Sequence, residues 1–247
     1  MRKFAAAIFA LLCCLPAAAR DLLVIGTHFE RVYERGQEGE IIGLGPEVVR
    51  LIAQRLGHRA IFELYPWARA QALVAQGKAD ILVGPYKTFE RQQLMSFSKM
   101  PFYQDQMVFY VRKGAMQDWS GDYASLSEQR IAIVNGWSYG TAFDKARPQL
   151  RLDVVNSVDS GLKMLAAQHA QMFASNRRNT EPVLGRLGLS GQLAMLPRVI
   201  EVQDGYFAFP KRSASDTLRK EFDMEFQRLV DSGELKRLGL RHEVNVP

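Results

Sequence analysis

Lys78 to Tyr103, "KADILVGPYKTFERQQLMSFSKMPFY", is the stretch whose reading decides how this chain folds. It opens on a continuous apolar run, "ADILVG", the pattern of a strand buried on both faces of a parallel sheet. Gly84-Pro85 interrupts the run. Arg91 follows within a few residues, and the chain then turns apolar and aromatic at "MPFY". The reading is a strand that ends at Gly84 and leaves the core through Gly-Pro. Arg91 is then either a solvated loop charge or a group aimed at a ligand.

The segments on either side place that strand in a repeating series. "DLLVIGT" (21–27) reads as a short buried strand, and "GLGPEVVRLIAQRLGH" as a helix with Pro46 in its first turn and Gly57 at its end. "AIFELY" is a second strand, "PWARAQALVAQG" a second helix and "ADILVG" the third strand. This β-α-β-α-β order with short connections predicts a parallel sheet covered by helices. "DQMVFYVRKG" (105–114) is strand-like, and a second series follows. Its members are strand "RIAIVNG", helix "YGTAFDKA", strand "LDVVNS", helix "VDSGLKMLAAQ" and strand "AQMFAS". After "GQLAMLPRVIEVQDG" come a last strand, "YFAFPK", and a closing amphipathic helix over "ASDTLRKEFDMEFQRLVDSG". Two such series predict an α/β protein of two lobes, each a mostly parallel sheet flanked by helices. The crossings between them fall near 105–111 and 202–209. The expected organisation is lobe 1 from 20–108 and 207–247, and lobe 2 from 109–206.

Residues 1–19 read as a signal peptide: a basic start, the apolar "FAAAIFALLCCLP" and a small-residue cleavage site "AAA". The apolar run is short for a bilayer span. A lipid anchor at Cys13 or Cys14 lacks the small residue such a site needs. Cleavage near Arg20 removes both cysteines, which excludes disulfides, thiol catalysis and cysteine metal sites, and puts the protein in the periplasm. The remaining net charge is only mildly positive, and Lys and Arg are scattered, so nucleic acid is not an expected partner. A monomer without a cofactor is expected.

The chain resembles extracytoplasmic solute-binding proteins of family 3, the amino-acid type of ABC transporter receptor. The resemblance spans the mature chain and is most specific in the opening stretch, where Gly77, Asp80, Thr88, Arg91, Phe97, Ser98, Pro101 and Tyr103 keep the family's order and spacing. It implies a periplasmic-binding-protein fold of type II, with two hinge crossings and ligand trapped in the cleft. It also implies that Arg91 holds the ligand carboxylate, a role suited to the planar, permanently charged guanidinium.

Other site residues come with the same resemblance. Trp67 falls where relatives set an aromatic ring against the ligand, and Arg69, two residues on, reaches either the cleft or solvent. Tyr86 stands where relatives carry a small hydroxyl residue, so it adds an aromatic wall. Ser138 in "NGWSYGT" matches a second-lobe donor to the carboxylate, or else is an N-cap. His28 is expected to face the cleft, with no second histidine at metal-ligand spacing. Asn176 falls at or near the position of the acid that binds the ligand α-ammonium in relatives. An amide supplies no countercharge, so carboxylate recognition is better supported than α-amino recognition.

The expected function is capture of a small carboxylated ligand for delivery to a membrane permease. A free-standing sensor that signals to a receptor is the alternative. A dehydratase-type enzyme on the same fold is a third, for which Glu30, His28 and Glu181 are the available acids and bases; no catalytic motif joins them.

Overall fold

The structure, a computed structural model, describes residues 20–115 and 118–247; the expected signal peptide lies outside the described residues. No helix among the described residues is long and apolar enough to cross a membrane. In chain order the elements are β1 (Asp21–Gly26), β2 (Glu34–Arg35), β3 (Ile41–Ile42), α1 (Leu44–Arg55), β4 (Arg59–Leu64), α2 (Trp67–Ala75), β5 (Ile81–Tyr86), α3 (Phe89–Leu94), β6 (Met95–Phe97) and β7 (Tyr103–Arg112). They continue with β8 (Arg130–Val134), α4 (Thr141–Ala146), β9 (Arg151–Val155), α5 (Val158–Ala166), β10 (Met172–Asn176), α6 (Arg177–Arg186), β11 (Leu193–Pro210), α7 (Ser213–Asp231) and α8 (Glu234–Arg241).

The main strands follow one path, β4-β1-β5-β11-β7-β10-β8-β9, with β6 added beside β11. At one end β4, β1 and β5 are parallel; at the other β10, β8 and β9 are parallel. The long strands β7 and β11 join the two ends as an antiparallel pair. Along β11 the partner changes: residues up to Gly205 pair with β7, and Gly205 to Ala208 pair with β5. The fold is the two-lobed mixed α/β architecture expected, with its crossings on β7 and β11.

Side-chain alternation divides the core. On β7, Met107, Phe109 and Val111 enter a large cluster that runs from the first half into the second. Val108 and Tyr110, one residue out of phase, enter a smaller cluster under α5 and α6 with Leu162, Leu165, Phe173 and Leu184. The closing helix docks as its spacing predicts, with Leu218, Phe222, Phe226 and Leu229 buried and Phe222 and Phe226 against Phe207.

The structure departs from the sequence reading at three places. The chain does not leave the core at Gly84-Pro85: β5 continues through Tyr86, and all six of its residues are buried. Proline lacks a ladder donor, and the partner strand accommodates this with a register shift between Gly205 and Phe207, opposite Gly84 and Pro85. β11 begins at Leu193, well before "YFAFPK", because its first part pairs with β7 rather than with the first lobe. Helix α6 carries Pro182 in its interior and few apolar residues, so its sequence announces no helix; Asn176 caps it by accepting from the Asn179 N–H at 2.8 Å.

Candidate functional site

The parallel strands of both halves point their C-terminal ends at one interlobe cleft, where an open α/β sheet concentrates binding groups. From the first half come the loop after β1 (Thr27 to Glu30), the start of α2 after β4 (Trp67), and the end of β5 with α3 (Tyr86 and Arg91). From the second half come the loop after β8 (Asn135 to Ser138) and the start of α6 after β10 (Arg178 and Asn179). Phe29, Trp67, Gly84, Tyr86, Arg91, Trp137 and Ser138 surround a central cavity of about 10 Å³, room for about one water molecule. Phe29, Trp67 and Trp137 also line a wider cavity of about 340 Å³ that opens past His28, Glu30 and Arg186.

Arg91 is buried, 8% exposed, on a six-residue helix capped by Thr88, whose hydroxyl accepts from the Arg91 N–H at 3.3 Å. Its guanidinium donates to three neutral oxygens: Gln71 Oε1 at 3.0 Å, the Tyr86 carbonyl at 2.8 Å and the Gly136 carbonyl at 3.0 Å. The last of these belongs to the opposite half. No carboxylate of the described residues forms an ion pair with Arg91, whereas the other buried guanidinium, Arg178, has one. Burial pulls the Arg91 pKa down from its ordinary value, and the nearby acids Asp144 and Glu90 offset this only in part.

Trp67 is 8% exposed, packs edge-on against Phe29 at 5.4 Å and lies under the Arg91 guanidinium at 5.5 Å. Its indole N–H donates to the same Gly136 carbonyl at 3.2 Å. Gly136 has φ of 72°, and a Cβ there would stand 3.3 Å from the Trp67 ring, so glycine permits this approach. Ser138 borders the central cavity but is not an N-cap, a place held by Gly140; its hydroxyl donates to Asp144 at 2.7 Å.

Tyr86 forms a wall of the central cavity and sends its hydroxyl away from it, donating to Asp105 at 2.7 Å. Burial, with Asp105 beside it, pushes the Tyr86 phenol well above its usual range. Asp105 is gripped by Arg178 through two hydrogen bonds, 2.9 Å from Nε and 2.7 Å from a terminal nitrogen. Asn176 is 1% exposed; its amide oxygen caps α6, and its amide nitrogen reaches the Tyr86 hydroxyl at 3.5 Å. Arg178 and Asn179 also bridge the halves, Arg178 donating to the Glu30 carbonyl and Asn179 accepting from the Glu30 N–H at 2.8 Å.

His28 is exposed at the mouth of the wider cavity, paired with Glu30 at 3.2 Å, and that bond is the main cause of its raised pKa. His28, Glu30 and Glu34 bring three ligating atoms together, but Arg186 stands 3.5 Å from Glu30. Arg69 is exposed over the Tyr65 ring at 5.1 Å and lines no cavity of the cleft. Its expected reach resolves to the solvent side because Trp67, two positions earlier on α2, already takes the buried face. Glu181 accepts from Tyr110 at 2.9 Å and lies on a separate cavity behind the hinge, away from His28.

Phe29, Asp105, Gly136, Trp137 and Arg178 carry much of this geometry and were not singled out from the sequence. Arg178 had one signal: it stands two residues past a strand, where a parallel sheet delivers side chains to the cleft.

The family model of bacterial extracellular solute-binding proteins, family 3, matches residues 24–242. The chain belongs to that family. No curated protein matches this solute-binding protein in sequence. Among solved structures, a histidine kinase sensor domain described as similar to periplasmic binding proteins is 18% identical, with a TM-score of 0.82, over 93% of this chain and 99% of that one. A mutant of ArgBP from T. maritima is 18% identical, with a TM-score of 0.74, over 90% and 94% of the two chains. An ABC uptake transporter substrate-binding protein from Streptococcus pneumoniae with bound histidine is 14% identical, with a TM-score of 0.75, over 90% and 91%. At such identities the likeness establishes the fold, and the binding of a solute follows from the family.

Proposed function

We propose that this protein captures a small carboxylated solute, an amino acid or a related acid, in the cleft and delivers it to an ABC permease. The observation that carries this reading is Arg91: a buried guanidinium between the halves whose acceptors are all neutral. An entering carboxylate that replaces the Gly136 and Tyr86 carbonyls supplies two parallel charge-assisted bonds and the missing charge. Solved structures of similar fold described as arginine-bound ArgBP from T. maritima and as histidine-bound make amino acids the natural first class to test.

In this reading residues 20–108 and 207–247 form one lobe and 109–206 the other, and they turn about β7 and β11. Trp67, Tyr86 and Ser138 complete the site around Arg91. Asn176 supports its wall, and His28 stands at its entrance. The protein works as a periplasmic monomer after cleavage near Arg20, with no cofactor and no chemistry; Glu30 and Glu181 lie on different cavities and form no acid-base pair.

The test is calorimetric titration with a panel of carboxylates, each paired with a melting curve. Arg91→Ala should abolish binding, and Arg91→Lys should bind poorly because it loses the planar fork. Undiminished affinity in Arg91→Ala would remove the clamp role. Ligand-stimulated ATP hydrolysis by a reconstituted permease supports delivery; a response from a sensor kinase instead would assign the protein to signalling.

A further inference from the structure

On the side of the wider cavity the carboxylates near Arg91 can be followed to cationic partners; Glu90 and Glu201, on a separate cavity beyond Ser138, have none among the described residues. Asp105 is the carboxylate behind Tyr86; with Arg178 it lines the cavity behind the hinge and not the central one, so it acts on the cleft through the Tyr86 ring. Its side chain is 1% exposed, and Arg178, 8% exposed, takes both of its oxygens. The Tyr86 hydroxyl donates to the same carboxylate at 2.7 Å, so the ring that walls the central cavity also covers Asp105. Asp144, behind Ser138, is paired with Arg147 at 2.7 Å and accepts from the Ser138 hydroxyl at 2.7 Å. Farther out, Glu30 and Asp159 share Arg186, at 3.5 and 3.9 Å, and Glu30 also holds His28. The Asn176 amide oxygen is spent on the cap of α6.

Arg178 sits in the first turn of α6, where the helix dipole disfavours a cation, and Asp105 is what holds its charge there. The two charges therefore cancel inside the hinge, and Arg91 remains the uncompensated one in the inner cleft. An ammonium on the carbon next to a carboxylate held by Arg91, with the ligand body directed into the wider cavity, would be carried into space where each carboxylate already has a cation partner. Burial of such a charge is costly unless it is paired.

We infer that Arg178 is a specificity-determining residue: by neutralising Asp105 behind the Tyr86 ring, it restricts the site to monocarboxylates that carry hydroxyl, oxo or hydrogen, not ammonium, at the α-carbon. The body of such an acid leaves the clamp between Trp67 and Trp137 into the cavity of about 340 Å³. The inference rests on Arg91 holding the carboxylate, as proposed above.

The experiment titrates the full mature protein with matched sets that differ only at the α-carbon, in ammonium, hydroxyl and hydrogen forms, with aromatic and aliphatic bodies. Phenylalanine, 3-phenyllactate and 3-phenylpropionate make one such set. The expected result is that in every set that binds, the amino member is at least about tenfold weaker than its hydroxy partner. Arg178→Gln should narrow or reverse that ratio by freeing Asp105. Because that variant leaves a buried acid unpaired and can lower stability, Asn176→Asp is the second variant; it still caps α6 and adds a negative charge beside Tyr86. It should also move the ratio towards the amino member.

Amino members that bind as well as their hydroxy partners, with binding lost in Arg91→Ala, overturn the inference and leave the clamp intact. A ratio unchanged in Arg178→Gln overturns the role of Arg178, and a ratio unchanged in Asn176→Asp overturns the claim that a missing anion near Tyr86 sets the preference. Binding that persists in Arg91→Ala, or absence of binding across the panel, overturns the carboxylate reading on which it rests.

Discussion

Arg91 and Arg178 are both buried guanidiniums, and their partners separate their roles. Arg178 faces a carboxylate, and its charge is spent inside the protein; Arg91 faces three neutral oxygens, and its charge is available. Trp67 supports Arg91 from below, so Trp67→Ala should weaken ligand binding by about 1–3 kcal/mol. Titration of the variant checks this, and affinity equal to wild type would make the ring packing alone. His28 supplies a pH dependence. Its folded pKa is raised above the ordinary 6.5, chiefly by the bond to Glu30. The contribution of that pair is therefore complete below about pH 6.5 and is lost as pH rises through the raised value. His28 is half exposed, so the effect is about 1 kcal/mol or less. Melting curves of wild type and His28→Gln should differ most near pH 6 and converge as pH rises; a gap that widens with pH would contradict the sign.

At the scale of elements, α3 shows how a short helix places a charge. A helix of six residues is too short to be stable by propensity, so its cap and its burial hold it. The Thr88 hydroxyl accepts from the N–H of Arg91 itself, which ties the cap to the position of the Arg91 guanidinium. Thr88→Ala should cost about 1 kcal/mol of stability. It should also weaken carboxylate binding, although Thr88 makes no contact with the central cavity. If melting falls and affinity does not, the cap serves the fold alone. β5 makes a related point. Gly84 has φ of 92°, and a Cβ there would approach the Phe29 ring at 3.2 Å and the Tyr103 hydroxyl at 3.4 Å. Glycine at this position brings the strand close to an aromatic wall, and the bulge across on β11 absorbs the proline that follows.

At the scale of the whole molecule, two long antiparallel strands carry the sheet from one half to the other, and most other links between the halves gather around the cleft. Gly136 accepts from both Arg91 and Trp67, and Glu30 is held by Arg178 and Asn179. A ligand that joins these bonds stabilises the arrangement in which both halves touch it. At a hundred times its Kd, such a ligand should raise stability by about 2.7 kcal/mol. Small-angle scattering should show a smaller radius of gyration with ligand than without. A rise in melting temperature without compaction would place the ligand on one half only.

Much of this protein was legible in its sequence because its signals are local. The alternation of strands and helices, Pro46 in the first turn of α1 and Gly57 just past its end, and the apolar spacing of α7 each depend on a few neighbouring residues and survive in the structure. The clamp role proposed for Arg91 came from the resemblance of Thr88 and Arg91 to the family's motif; the bare sequence left Arg91 as either a solvated loop charge or a ligand group. What the sequence could not decide was partnership. Whether β5 ends at Gly84 depends on a bulge in β11, more than a hundred residues away in the chain. That Asp105 is neutralised depends on Arg178, 73 residues distant, and that Arg91 bridges the halves depends on a carbonyl 45 residues on. Arg69 and Trp67 read alike as cleft candidates until packing buried one and left the other in solvent. Tertiary structure decided these points because a charge or a strand end takes its meaning from the group across from it, and chain order does not encode that distance.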